Sequence, residues 1–396
     1  MLVCARGALT RHCGQSRVFL YAARYAIISH TYFVNHLDVM MERPHNPPPL
    51  SLKTVMHAPV RVGVVGCGVV ADYGHIPAVA RAAGAELAAF ADPSRERREA
   101  QARKYGKPCF ASFEEMIAAV PLDAVTIATQ PDIKLDMIRI AAAHGLHAFC
   151  EKPLTDSLEQ AGALVNLMDR AGLFVGVAFV YRGKQIVQRM MELLHAGAIG
   201  RLRAVHIENF WDYHGLRDQA LRGNRRHRAL QNLGTLDCGV HDLDLARYMA
   251  GAEFQDLHAI GAVVEQANTY PDHIMLHARM TNGVLVAVQE SGVWGYTAKD
   301  RPHYKQGYHM LGDNGVLSAD SDFATAGDEH ILRVVSGERQ WEERLSTEKA
   351  WDETYGQFFQ IIRGEDVPHR FIADGHDALI NMRVARDVIA QCMAAT

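Results

Sequence analysis

A chain of 396 residues, with 22% charged and 48% hydrophobic residues, is long enough for two globular domains. Its net charge is −4, and because residues 1–57 hold six basic and two acidic residues, the rest of the chain carries −8. An acidic body argues against a nucleic-acid partner, and the lack of any run of about 18 apolar residues argues against a transmembrane helix.

The seven cysteines are scattered, odd in number and never spaced as CxxC. This usage indicates reduced thiols in a cytoplasmic protein rather than a disulfide framework or a zinc knuckle. Residues 1–57 contain four arginines before their first acidic residue, Asp38, and a proline cluster at 45–50. They are interpreted either as an Arg-rich targeting segment or as an extension before a true start at Met56, and are excluded from the fold prediction.

From residue 60, short apolar runs alternate with stretches of helical spacing, which predicts βαβ units and a parallel sheet buried on both faces. The predicted strands are 60–65, 86–91, 124–128, 147–150 and 174–179, and the predicted helices are 94–106, 132–145 and 157–172. The sequence therefore predicts a dinucleotide-binding domain over 58–180.

After about residue 200 the apolar runs become longer and alternate with polar residues, which predicts a mostly antiparallel sheet. The runs are 203–213, 256–266, 273–281, 284–294 and 331–345, with turn residues at 281–283, 312–315 and 336–338. The fold class predicted is thus α/β: an N-terminal Rossmann-type domain, followed over 181–396 by an α+β domain that ends in a helix at 375–395.

The first predicted strand runs into G-x-G-x-x-A, a turn typical of dinucleotide binding. The first glycine makes the turn, the second admits a pyrophosphate to the backbone, and the small last residue lets helix and strand pack. The residues predicted to bind cofactor here are Gly66, Gly68, Val69, Val70 and Ala71.

Asp92 ends the second predicted strand, where a carboxylate accepts from the ribose 2′-hydroxyl of NAD. Its charge repels a 2′-phosphate and so favours NAD. Ser94 and Arg95 follow closely and are candidates for gripping such a phosphate, so NADP stays open as the alternative cofactor.

A Glu-Lys-Pro at 151–153, at the end of a later strand, is followed about 85 residues on by D-x-G-x-H at 237–241. Together with the glycine turn and VTIAT at 125–129, these motifs resemble the Gfo/Idh/MocA family of NAD(P)-dependent oxidoreductases over residues 58–394. The resemblance implies a Rossmann domain followed by a domain with a large open sheet, which often mediates dimers or tetramers.

The resemblance also implies site residues. Lys152 would reach the reacting hydroxyl or carbonyl, and His241 would accept the proton or act as the partner of Lys152 in that role. Asp237, the acidic residue of the same motif, would orient the substrate and tune both groups. Residues implied to line the cofactor or substrate are Thr129, Glu151 and Arg182. The chain departs from the family pattern at Gln130, where a proline is usual, and at Lys134, near the usual histidine.

The stretch LDCGVHDLD, 236–244, admits three interpretations. Asp237 and His241 share a helical face, which would suit a metal. No third ligand is evident in the sequence, so no metal is expected here. Asp242 and Asp244 are interpreted as ordinary carboxylates of a helix start. Asp237 and His241 are assigned to acid–base chemistry, since oxidation of an alcohol needs a base and a cation to stabilise the alkoxide.

The predicted function is an NAD-dependent oxidoreductase acting on a hydroxyl or carbonyl of a sugar, sugar acid or cyclitol. A non-sugar diol or carbonyl compound as substrate, and a cofactor-binding sensor without turnover, are the alternatives. Five arginines in 217–228 form either a solvated loop or a site for an anionic substituent. A homodimer or homotetramer is expected, with no metal and no nucleic-acid or membrane partner.

Overall fold

The protein is described by a computed structural model. It describes Leu52 and the ranges 56–211, 238–264, 270–292, 304–320, 329–346 and 348–394. Residues 49–396 form one compact unit, and residues 1–48 lie wholly outside the described residues. Within the described residues, no helix is both long and apolar enough to cross a membrane.

Helices and strands are numbered in chain order over the described residues. The strands are β1 (Val60–Val65), β2 (Ala85–Ala91), β3 (Cys109–Phe110), β4 (Ala124–Ile127), β5 (His147–Cys150), β6 (Val175–Val177), β7 (Leu202–Trp211), β8 (Phe254–Ala262), β9 (His273–Met280), β10 (Leu285–Ser291), β11 (Tyr304–Gly312), β12 (Gly315–Asp320), β13 (Glu329–Ser336), β14 (Arg339–Ser346) and β15 (Ala373–Asp374). The helices are α1 (Ile76–Arg81), α2 (Arg95–Tyr105), α3 (Phe113–Ala119), α4 (Lys134–Ala143), α5 (Leu158–Ala171), α6 (Gln185–His195), α7 (Val240–Ala250), α8 (Trp351–Ile362) and α9 (Gly375–Ala394).

The first sheet has the strand order β15-β6-β5-β4-β1-β2-β3. Its strands are parallel except β15, which returns from the end of the chain and pairs antiparallel with β6. The order reverses between β1 and β4, and ligands of such sheets bind beyond the carboxyl ends of the strands at that point. The glycine turn after β1 therefore lies where a dinucleotide is expected.

Local sequence explains how the crossover helices begin and end. Ser94 and Ser157 each accept a hydrogen bond from a backbone amide in the first turn of α2 and α5, and both helices end at a glycine with positive φ, Gly106 and Gly172. Strand β1 is buried on both faces, as a central parallel strand must be.

The second sheet has eight strands in the order β14-β13-β12-β11-β7-β10-β9-β8. Strands β7 and β10 are parallel, and the other pairs are antiparallel. Burial along β9 alternates residue by residue, with Ile274, Leu276, Ala278 and Met280 buried. One face of the sheet therefore covers the core while the other is exposed.

The predicted fold class is confirmed: a parallel sheet precedes a mostly antiparallel one. The sequence did not reveal that β15 completes the first sheet, because a two-residue strand carries no periodic signal. The glycine turn leads first into a π-helical turn, Ala71–His75, and only then into α1. The predicted run 331–345 is the hairpin β13–β14, which turns at Gly337.

The close packing at Gly312, where β11 turns into β12, gives a stability prediction. A Cβ at Gly312 would overlap the carbonyl oxygen of Ile199, whereas a Cβ at Gly162, inside α5, would meet no heavy atom of the described chain within 4 Å. Gly312→Ala should lower the free energy of unfolding by about 2 kcal/mol. Gly162→Ala should raise it by about 0.5–1 kcal/mol, since alanine is the better helix former.

Urea denaturation of the two variants beside wild type measures both changes. Equal effects of the two alanines would contradict the packing around the β11–β12 turn.

Candidate active site

The glycine turn is constrained on one side and open on the other. Gly66 has φ 91°, and a Cβ there would lie 2.5 Å from the carbonyl oxygen of Ala128 and 3.3 Å from Thr129 Cγ2. A Cβ at Gly68 would meet no heavy atom of the described residues within 4 Å, and Val69 beside it is 77% exposed. Packing inside the protein therefore explains Gly66 but not Gly68. A pyrophosphate lying against the backbone, as the sequence predicted, would explain a glycine at position 68.

Asp92 stabilises the glycine turn by accepting hydrogen bonds from backbone amides. Its carboxylate is buried, with Oδ2 accepting from Cys67 N at 2.8 Å and Oδ1 from Ser94 N at 2.7 Å. Each oxygen keeps a second lone pair, so these bonds leave acceptor capacity for a ribose hydroxyl. Arg95 points its Nε at Glu99 Oε1, 2.6 Å away, and its side chain is 80% exposed.

The loop that carries Lys152 is fixed through its backbone. Lys134 is fully buried in the first turn of α4, and its Nζ donates to the carbonyl oxygens of Glu151 and, at 2.6 Å, of Pro153. These two carbonyls flank Lys152. The lysine that departs from the family pattern therefore holds the Glu-Lys-Pro loop by charge-assisted hydrogen bonds.

A buried polar chain links Glu151 to α8. Glu151 Oε1 lies 3.2 Å from His75 Nε2, His75 Nδ1 lies 2.8 Å from the Tyr355 hydroxyl, and that hydroxyl lies 2.8 Å from Thr126 Oγ1. Burial raises the pKa of Tyr355 well above its usual value, so its hydroxyl stays protonated and donates to one of its two neighbours.

His241 lies in the first turn of α7 and is buried among aromatic rings. Its ring stacks on Tyr181 at 4.2 Å and 11°, and Phe179 meets it edge-on at 5.8 Å. Both aromatic residues follow β6, the neighbour of the strand that leads into Lys152. His241 and Lys152 are therefore positioned by adjacent strand ends on the same edge of the first sheet.

Asp237, the partner predicted for His241, lies outside the described residues, as does the arginine run 217–228. Gly239, in the middle of D-x-G-x-H, is described, and a Cβ there would overlap the carboxylate of Glu290. Glycine at this position thus makes room for an acidic side chain from β10. Nothing in the sequence around Glu290 singled it out.

Asp242 lies in the first turn of α7, in line with the helix-start interpretation, and Asp244 lies just beyond that turn. Both are buried: Asp242 Oδ2 accepts from Asn209 Nδ2 at 2.7 Å, and Asp244 Oδ1 accepts from Asn381 Nδ2 at 2.7 Å. Burial raises the pKa of Asp242 to about 7. First-turn carboxylates are usually exposed, whereas here the helix start is enclosed by β7 and α9, and the sequence did not indicate this burial.

Arg182 is engaged by carboxylates from two helices. Its Nε and Nη2 bind Asp244 at 2.7 and 2.5 Å, and its Nη1 lies 3.3 Å from Asp377. Burial acts to lower the pKa of Arg182, but the two carboxylates outweigh it and hold the pKa above its usual value. Contact with substrate stays a prediction for Arg182, and these ion pairs indicate that it also positions α7.

No group of three or more potential metal ligands occurs among the described His, Cys, Asp and Glu residues. Because Asp237 is not among them, the expected absence of a metal at D-x-G-x-H stays a prediction. The five cysteines in the described ranges are free thiols. Burial raises the pKa of Cys67, in the glycine turn, to about 12, so this thiol is unreactive near neutral pH.

Comparison with known proteins agrees with this geometry. Residues 60–179 match the GFO/IDH/MocA oxidoreductase family, described by its NAD-binding Rossmann fold, and residues 187–318 match the C-terminal domain of the same family. The chain belongs to the Gfo/Idh/MocA oxidoreductase family. The predicted resemblance is confirmed, and the first domain is an NAD-binding Rossmann domain.

Individual relatives are distant. A scyllo-inositol 2-dehydrogenase (NAD(+)) of Bacillus subtilis is 31% identical over 54% of this chain and 64% of its own length. A 1,5-anhydro-D-fructose reductase of Ensifer adhaerens is 26% identical over 80% of this chain and 92% of its own length. An oxidoreductase from Agrobacterium radiobacter, solved with NAD+, L-tartaric acid and magnesium, shares the fold with a TM-score of 0.71 at 19% identity, over 85% of this chain and 97% of that one.

The buried pair of Arg182 and Asp244 gives a second prediction. Arg182→Met should lower the free energy of unfolding by about 3–5 kcal/mol, because it leaves a buried carboxylate without its cation. Arg203 forms a similar two-bond pair with Asp313, but on the surface, so Arg203→Met should scarcely change stability. Thermal and urea unfolding measure both, and a small loss in Arg182→Met would contradict the role assigned to the pair.

Proposed function

We propose that this protein is an NAD-dependent dehydrogenase or reductase that interconverts a hydroxyl and a carbonyl group of a sugar, sugar acid or cyclitol. The observation that carries the proposal is that three features follow the carboxyl ends of β1, β5 and β6, which lie on one edge of the first sheet. These are the open glycine turn at Gly68, the anchored loop of Lys152 and the aromatic cradle of His241.

Bound NAD would supply the carbon that accepts the hydride. His241 takes the proton of the substrate hydroxyl, with Asp237 as its predicted partner. Its Nδ1 is buried, so we assign proton transfer to Nε2. The ammonium of Lys152 stabilises the negative charge that develops on the substrate oxygen. In the reverse direction the same groups deliver the proton to the carbonyl oxygen.

The cofactor contacts follow from the same edge. We assign the pyrophosphate to the turn from Gly66 to Ala71, the adenosine ribose to Asp92 and the nicotinamide side to Thr129 and Glu151. The names of distant relatives, an inositol dehydrogenase and an anhydrofructose reductase among them, support a polyol or sugar as the substrate class. We also propose that the substrate carries an anionic substituent, which the arginines of 217–228 would bind.

We further propose a homodimer or homotetramer assembled through the outer face of the second sheet. Large apolar side chains of that face are 43–63% exposed across strands β8 to β11. They are Ile260, Met275, Leu285 and Leu311. Exposed apolar residues on neighbouring strands of one open sheet are typical of an assembly surface.

Catalysis gives the third prediction. Lys152→Ala and His241→Ala should each lower kcat by about 100-fold or more, the usual effect of removing a positioned acid–base or charge-stabilising group. NAD affinity should change far less, because the pyrophosphate contacts lie elsewhere. The double variant should lose less than the product of the two single losses if both residues serve one step.

NAD reduction at 340 nm against a panel of polyols and sugar acids measures this, with Lys107→Ala as the control. Lys107 is a surface lysine that pairs with Glu86, so its variant should keep wild-type turnover. A wild-type kcat in both Lys152→Ala and His241→Ala would show that hydride transfer does not take place at this edge of the sheet. Tight NAD binding without turnover on any substrate would favour the alternative function, a cofactor-binding sensor without catalytic activity.

Cofactor choice gives the fourth prediction. NAD should bind at least about 10-fold tighter than NADP, because the charge of Asp92 repels a 2′-phosphate. Asp92→Asn should narrow that ratio, whereas Glu86→Gln, at the exposed start of the same strand, should leave it unchanged. Fluorescence titration with both cofactors measures the ratio, and a preference for NADP in wild type would contradict the role of Asp92.

A further inference from the structure

A second buried lysine, Lys184, lies one aromatic ring away from His241. The Tyr181 ring, which stacks on the imidazole at 4.2 Å, also has Lys184 Nζ 3.8 Å from its centroid. The stacked imidazole fills one face of the tyrosine ring, so the ammonium lies on the other. Lys184, Tyr181 and His241 therefore form a cation–ring–ring stack in which the charge is one ring away from the proposed base.

Lys184 is 1% exposed and is held at its tip by β11. Its Nζ donates to Gln306 Oε1 at 2.7 Å and to the Tyr308 hydroxyl at 3.3 Å. Gln306 Nε2 donates to Asn209 Oδ1 at 3.4 Å, and Asn209 Nδ2 donates to Asp242 Oδ2 at 2.7 Å. A chain of neutral amides thus connects the buried cation to a buried carboxylate on the helix of His241.

The charge at this position depends on pH near neutrality. Burial lowers the pKa of Lys184 to about 7, and the cation Lys349, just before α8, acts in the same direction. The carboxylate of Asp242 opposes this, while burial raises its own pKa to about 7. The other groups that face the ammonium are the ring of Tyr181, the hydroxyl of Tyr308 and the amide of Gln306.

We propose that Lys184 is a positioning residue for the reaction, which through the ring of Tyr181 fixes the plane of His241 and disfavours its protonation, so that the imidazole is available as a base. The proposal rests on the proposed function in one respect, namely that His241 acts as the base of the reaction. Two geometric facts carry it: the stack itself, and the two hydrogen bonds that stop the ammonium from leaving the ring.

The direction of the effect follows from charge. A cation near an imidazole disfavours the imidazolium, so removing it lets His241 hold its proton to higher pH. A shift of about 0.5–1 pH unit is expected for one charge that is screened by a ring and partly offset by Asp242. Because the neutral imidazole is the active form in alcohol oxidation, the acid side of the rate profile moves up with it.

The test follows the titration of His241 by two-dimensional 1H–13C spectra of protein labelled at histidine Cε1, with the signal assigned from His241→Gln. In Lys184→Met the midpoint should rise by about 0.5–1 pH unit. Lys305→Met is the matched control: it removes a cation from the residue next to Gln306, on the opposite face of the sheet, where the lysine pairs with Glu208 at 2.8 Å. Its His241 midpoint should stay that of wild type.

Tyr181→Phe, which keeps the ring between the imidazole and the ammonium, should also leave the midpoint in place. An unchanged or lowered midpoint in a folded Lys184→Met protein overturns the proposal, since burial and not charge would then govern His241. If that variant does not fold, Lys184→Gln, which keeps a hydrogen-bonding tip without the charge, decides by the same criterion.

The pH dependence of kcat/KM on an active substrate is the second readout and should shift by the same amount. A shifted midpoint in protein that turns over no substrate retains the role of Lys184 and refutes the proposed function. Turnover of a substrate together with an unshifted His241 midpoint in Lys184→Met supports the proposed function and refutes the role of Lys184.

Discussion

The candidate site depends on a buried charge cluster in which three distant parts of the chain meet. Arg182, just after the first sheet, binds Asp244 of α7 and Asp377 of α9, and Arg247 of α7 donates to Asp377 from the other side at 3.2 Å. Buried charges are costly unless every one is compensated, so this arrangement tolerates few alternatives. It fixes α7, and with it His241, against the edge of the sheet where the glycine turn opens.

The sequence predicted those parts of the fold and site whose signals are local. A strand followed by G-x-G-x-x-A, or by Glu-Lys-Pro, is recognisable within a few residues, because its turn and burial are decided by neighbours in the chain. Strand β15 and Tyr355 were not predicted. Tyr355 lies 280 residues from His75, and a contact at that separation leaves no periodic trace in the sequence around either residue.

Charged residues were the least predictable, because their environment is set by packing. The sequence indicated a helix start at Asp242 and Asp244 and, through the family resemblance, a substrate contact at Arg182, but it did not indicate that all three are buried. Lys134 appeared only as a departure from a family pattern. In the structure its ammonium donates hydrogen bonds to two carbonyl groups of the Glu-Lys-Pro loop. This lysine, near the position of the usual histidine, therefore supports the loop of Lys152.

Helix geometry explains how one turn of α7 combines these charges. Successive residues are about 100° apart around a helix, so Asp242 lies about 100° to one side of His241 and Asp244 about 60° to the other. The first carboxylate reaches Asn209 on β7, and the second reaches Arg182 at the edge of the first sheet. The helix turn that carries His241 is therefore anchored on both flanks, and the imidazole itself stacks on Tyr181, so its plane is set by the protein before any substrate binds.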